Sequence, residues 1–168
     1  MKDNIILIGM PGCGKSTIGV LLAKNLAYGF LDSDLVIQEQ SGRKLQEMID
    51  EMGPEAFSAF EDAVNATLIP HNTVIATGGS AVYGTRAMEH FKEIGTVVYL
   101  KASYETIEKR IRNFATRGIV IPEGQTFRDV YNERTALYEK YADITVDVDA
   151  DKADIWDVVE AITAKLKD

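Results

Sequence analysis

The 168-residue sequence is poor in the residues that build metal and disulfide scaffolds. It has one cysteine, Cys13, and two histidines, His71 and His90. A single thiol excludes an internal disulfide framework and a zinc site made of several cysteines. The two histidines stand too far apart in sequence for a metal motif. Long apolar runs are missing as well. The first, Ile5 to Ile8, is short and follows the acid Asp3, which does not fit a secretory leader. No run approaches the roughly 20 apolar residues that span a bilayer, so the chain reads as cytoplasmic, with no membrane partner. Positive charge is in deficit: Lys plus Arg number 18 and Asp plus Glu 26, a net charge of -8. A nucleic-acid surface needs a basic stripe to neutralise phosphates, and that class is excluded. A small anionic ligand is not, because a local cluster of cations can act inside an acidic protein.

What remains is ordinary for a globular domain, with 46% hydrophobic and 26% charged residues. At roughly 150 residues per domain, one domain covers residues 1–168. Short β-branched runs alternate with amphipathic helical patterns. Strands are expected at Ile5–Ile8, around Phe30–Asp32, at Thr73–Ala76, Thr96–Leu100 and Ile144–Val148. Between them, apolar residues recur at helical spacing, as in Ile18, Leu21, Leu22 and Leu26. The remaining helices are expected near 34–40, 44–52, from Pro54, 86–94, 104–113 and 127–141. A last one carries Ile155, Val158, Val159, Ile162 and Leu166 on one face. The alternation predicts an α/β protein, a three-layer α/β/α sandwich around a five-stranded parallel sheet. Such sheets bind ligands beyond the carboxyl ends of their strands, here after Ile8, Leu31, Ala76 and Leu100. The stretch Ala115 to Thr126 is polar and unpatterned, and long enough to serve as a lid.

Gly9-Met10-Pro11-Gly12-Cys13-Gly14-Lys15-Ser16 matches G-x-x-x-x-G-K-[ST], and an apolar strand precedes it while an amphipathic helix follows. Glycines let the backbone turn and bring N–H groups to phosphates, the helix start adds its positive dipole end, Lys15 reaches the β- and γ-phosphates, and Ser16 can hold Mg²⁺. Cys13 reads as a small loop residue, since no histidine stands near it to activate the thiol. The guanine motif N-K-x-D of a GTPase is missing, as is an apolar strand ending in Asp after 74–76 or 97–100. In their place Asp32-Ser33-Asp34 follows the second strand. One carboxylate can support Mg²⁺ while the other takes a proton from an acceptor hydroxyl. An Asp-Ser-Asp run also caps helices, and we expect capping and ligation to use different residues.

These features together resemble the shikimate kinase family of P-loop kinases. The likeness runs over nearly the whole chain: the loop with Lys15, Ser16 and Thr17; Phe30-x-Asp32-x-Asp34; Gly42; Gly53; Phe57-x-x-x-Glu61; Ala76-Thr77-Gly78-Gly79; Val98-Tyr99-Leu100; Arg110; Arg117; Arg134-x-x-Leu137-Tyr138; and Ala142-Asp143. The resemblance implies an ATP-dependent kinase that phosphorylates shikimate to shikimate 3-phosphate, in aromatic amino-acid biosynthesis. It implies that Gly12, Cys13, Gly14, Lys15, Ser16, Thr17 and Arg110 bind the nucleotide, and that Ser16 and Asp32 hold Mg²⁺. Asp34, Gly78, Gly79 and Arg134 would bind the acceptor, Arg134 through its carboxylate-matching fork. Lys15, Asp34 and Arg117 would be catalytic. Phosphoryl transfer needs positioning and positive charge more than covalent chemistry, which suits this set. An acceptor-binding segment at about 34–61, a lid at about 113–126, and a monomer complete the expectation.

The departures gather on the acceptor side. The family has arginine after the phenylalanine of its Phe-Arg-x-x-Glu segment, and this chain has Ser58. Losing a charge-assisted bond to a carboxylate costs about 1.5–3 kcal/mol. Ser80 replaces a third glycine, Gln38 replaces a glutamate, and Gly118-Ile119-Val120 replaces Pro-Leu-Leu after Arg117. Either Arg43 or Arg128 supplies the lost cation, or the acceptor is another polyol or sugar acid, as in a gluconate-kinase-like enzyme. A non-catalytic nucleotide sensor ranks lower, because Lys15, Ser16, Asp32, Asp34 and Arg117 are all intact.

Overall fold

Strand β1 (Asn4–Ile8) is buried along its whole length, as a run with no polar face must be, and it takes the centre of the sheet. The computed structural model describes residues 2–112, 119, 121–149 and 154–168. The other elements are α1 (Lys15–Leu26), β2 (Gly29–Asp32), α2 (Ser33–Ser41), α3 (Leu45–Met52), α4 (Pro54–Asn65), β3 (Thr73–Ala76), a 3₁₀ turn (Ala81–Tyr83), α5 (Thr85–Ile94), β4 (Gly95–Lys101), α6 (Tyr104–Arg112), α7 (Phe127–Tyr141), β5 (Ile144–Asp147) and α8 (Ile155–Lys165). The five strands run β2-β3-β1-β4-β5 and every pairing is parallel. Helices α1 and α8 pack together, as do α4 and α5, while α7 joins through the 3₁₀ turn. Helices cover both faces, and the three-layer α/β/α expectation is met. Among the described residues, no helix is long and apolar enough to cross a membrane.

The register brings the ligand edge together. Ile8 pairs with Tyr99 and Asp32 with Ala76, so the loops after β1, β2 and β3 leave the sheet side by side. The main core holds Ile6, Leu7, Leu22, Val74, Phe91, Val98 and Ile162, none with measurable exposure. Truncating such a side chain to alanine typically costs about 2–5 kcal/mol. Separate from it, Ile37, Met48, Phe57 and Val64 from α2, α3 and α4 form a small second core. The segment anticipated at 34–61 is thus a helical unit with its own apolar centre, beside the ligand edge.

Local signals set the boundaries. Asp32 caps α2 by accepting the backbone N–H of Asp34. Pro54 occupies the first turn of α4, where its missing N–H costs nothing. Thr126 and Asp129 cap the start of α7 reciprocally. Differences from the sequence reading are small: β2 begins at Gly29, β5 ends at Asp147, and the 3₁₀ turn after Gly79-Ser80 was not anticipated.

Candidate active site

The loop after β1 is shaped by backbone conformation. Gly14 has φ +98°, a region that disfavours any side chain, and it opens α1 without a capping side chain, leaving N–H groups at the helix start. Lys15 is buried, and its Nζ donates to the carbonyls of Gly9 at 2.7 Å and Met10 at 2.9 Å. Arg110, from α6, donates to the Gly12 carbonyl at 2.9 Å and holds the loop from outside. The Cys13 thiol is buried in the core.

Ser16 Oγ donates to Asp32 Oδ2 at 3.1 Å, while Asp32 Oδ1 accepts the Asp34 N–H at 3.0 Å. Capping falls on Asp32 and not on Asp34. Asp32 caps the helix with one oxygen and turns the other toward Ser16.

The strand end after β3 meets the two helices that carry acids. A Cβ at Gly78 would stand 2.7 Å from Asp34 Oδ1 and 2.9 Å from Glu61 Oε2, and one at Gly79 would stand 2.6 Å from Pro11 Cδ. Only glycine allows this approach. The buried Tyr138 hydroxyl donates to the Gly79 carbonyl at 2.5 Å, which explains its place in the Arg134-x-x-Leu137-Tyr138 pattern. Glu61, 2% exposed, accepts the Ser80 hydroxyl at 2.7 Å. Burial pushes its carboxyl up to about 7, against the opposing pull of that hydrogen bond. Asp34 is pushed up to about 6, first by burial and then by the charge of Asp32, with Lys15 opposing. Arg134 is 4% exposed and its Nε has no hydrogen-bond partner. Its guanidinium lies 5.5 Å from the Tyr83 ring centre, and it makes no ion pair among the described residues.

These groups line one cavity of about 520 Å³, a size typical of small-ligand sites. It brings together Gly12, Gly14, Lys15, Ser16, Thr17, Asp32, Asp34, Gly78, Gly79 and Arg134. Arg110 and the side chain of Cys13 stay off its wall, and Arg117 lies outside the described residues. Ser80 and Gln38 face the cavity, whereas Ser58 does not line it.

Two expectations are corrected. Arg43 is paired with Glu51. Arg128 sits 3.7 Å from Glu105 and 4.0 Å from the Tyr104 ring centre. Neither lines the cavity, so neither stands in for the missing arginine. Sequence reasoning assigned no site role to Glu61, Lys44, Ile49 or Phe57, all of which do line it. Phe57 and Glu61 lie one helical turn apart in the quoted segment, which was a usable signal. Lys44 offered none.

Comparison with known proteins gives the family. The profile of the shikimate kinase family matches residues 11–167. The chain belongs to the shikimate kinase family. It is 37% identical over 149 residues to a shikimate kinase of Thiobacillus denitrificans, covering 87% of this chain and 81% of that one. It is 36% identical over 174 residues to a shikimate kinase of Chlorobium chlorochromatii, covering 97% and 90%. The structure of a shikimate kinase from Acinetobacter baumannii in complex with shikimate superposes with a TM-score of 0.86 at 29% identity, covering 99% of this chain and 94% of that one. The chain is a small-molecule kinase that uses ATP.

Proposed function

We propose that this kinase transfers the γ-phosphoryl group of ATP to a hydroxyl of shikimate, giving shikimate 3-phosphate and ADP, and so serves aromatic amino-acid biosynthesis. One observation carries the reading. The phosphate-loop residues Lys15 and Ser16 share a single cavity with Asp34 and with a buried Arg134 whose Nε has no hydrogen-bond partner. A buried guanidinium N–H without an acceptor is costly unless a ligand supplies one, and a planar carboxylate fits the guanidinium fork.

The residues divide the work. The α1 start and the N–H groups of Gly12, Cys13 and Gly14 cradle the phosphates, with Thr17 at the rim and Arg110 bracing the loop. Lys15 places its charge beside the phosphoryl group. Gly78 and Gly79 let the acceptor ring come against the backbone, and Arg134 holds its carboxylate. Asp34 accepts the hydroxyl proton as the oxygen attacks the γ-phosphorus and the bond to the β-phosphate oxygen breaks. The raised affinity of Asp34 for a proton suits that task. Ser16 and Asp32 present hard oxygen donors 3.1 Å apart, a pair that suits Mg²⁺. Bound there, the ion would neutralise phosphate charge. Arg117 adds positive charge at the phosphates in the same proposal, and the enzyme acts as a cytoplasmic monomer. Ser58 favours a second reading, in which the acceptor is another hydroxy acid.

An ADP-release assay with Mg-ATP against shikimate, quinate, gluconate and a polyol panel separates the two readings. Saturable turnover on shikimate is expected. Turnover on another acceptor alone would overturn the shikimate reading. Tight ATP binding without turnover of any acceptor would favour a sensor.

A further inference from the structure

Arg134 is not the only cation available to an acceptor. We propose that Lys44 is a specificity-determining residue that binds the acceptor's carboxylate together with Arg134. This rests on the shikimate reading above. Lys44 stands at the start of α3 and lines the same cavity as Asp34, Glu61 and Arg134. Its backbone is anchored: Glu47 Oε2 accepts its N–H, and Gln38 Oε1 accepts that of Leu45 at 3.1 Å. Its ammonium makes no ion pair among the described residues. The neighbouring cations are taken, Arg43 by Glu51 and Arg128 by Glu105.

The acids of the cavity wall favour such a group. Asp32, Asp34 and Glu61 all line the cavity, and a further carboxylate brought in by the acceptor would be repelled by those that are ionised. Lys15 Nζ is held by the Gly9 and Met10 carbonyls of the phosphate loop, which leaves Arg134 as the other cation on the wall besides Lys44. Lys44 adds a second cation on a flexible stem, which follows the ligand as a point charge where a guanidinium would demand fixed geometry. Ser58, half-buried and off the cavity wall, contributes none.

The test is steady-state kinetics of wild type and Lys44→Met with shikimate and with its methyl ester, which lacks the carboxylate charge. The variant is expected to raise KM for shikimate roughly tenfold or more, with kcat and KM for ATP near wild type. Its KM for the ester should match that of the wild type. Lys44→Arg should retain affinity for shikimate, and adding Ser58→Arg to Lys44→Met should recover part of it. An unchanged KM for shikimate in Lys44→Met, or an equal rise for both acceptors, would overturn the role of Lys44 while leaving the functional reading intact. If wild type fails to phosphorylate shikimate, the reading and this inference fall together.

Discussion

The Ser80 hydroxyl donates a 2.7 Å hydrogen bond to Glu61 Oε1 inside the acceptor cavity. Both partners lie within the family pattern, yet Ser80 stands where the family has glycine and Glu61 lacks the arginine otherwise found at Ser58. The hydrogen bond gives a buried carboxyl one partner of its own.

That burial predicts a pH-dependent stability. Glu61 binds its proton up to about pH 7 in the folded chain, against an ordinary value of 4.5. The folded state holds more protons than the unfolded state between these values, so this group makes the protein lose stability as pH rises through that window. Glu61→Gln does not titrate. Its melting temperature relative to wild type should climb from pH 4.5 to pH 7 and level off above. The gain should amount to at most about 3 kcal/mol. Thermal melts across that range check it, and a difference independent of pH would contradict it.

Tyr138 predicts a structural effect that reaches the site. Its hydroxyl is buried and holds the Gly79 carbonyl at 2.5 Å. Tyr138→Phe leaves that carbonyl without its partner, at a cost of about 1–3 kcal/mol. Denaturant unfolding should show the loss. Kinetics should show a higher KM for the acceptor with KM for ATP unchanged, because Gly79 faces the acceptor side.

Much of this was legible in the chain. The loop from Gly9 to Ser16 announces itself, because few backbones other than a glycine-rich turn between strand and helix can wrap phosphate. The sheet was legible because β1 and β4 are buried on both faces and so carry unbroken apolar runs. The acceptor side was less so. Whether Arg43 or Arg128 is free depends on Glu51 and on Glu105 with Tyr104, contacts that a charged residue's sequence does not declare. Lys44 reads as a solvated lysine until the fold places the start of α3 beside the cavity. The double duty of Asp32 needed the meeting of β2 with the start of α1.

Asp34 predicts a kinetic split. Asp34→Asn keeps the size of the side chain and removes the proton acceptor. Turnover should fall by roughly 10²–10⁴-fold, while ATP affinity, measured by calorimetry, should stay within about twofold. Near-normal kcat would show that Asp34 is not the base.

The central claim is that this cavity phosphorylates shikimate. The most direct measurement is a competition: purified protein, Mg-ATP and equimolar shikimate, quinate and gluconate, with products resolved by mass spectrometry over time. The account predicts that a phosphorylated shikimate appears first and dominates, in step with ADP. A dominant phosphorylated gluconate or quinate, with shikimate untouched, would contradict it.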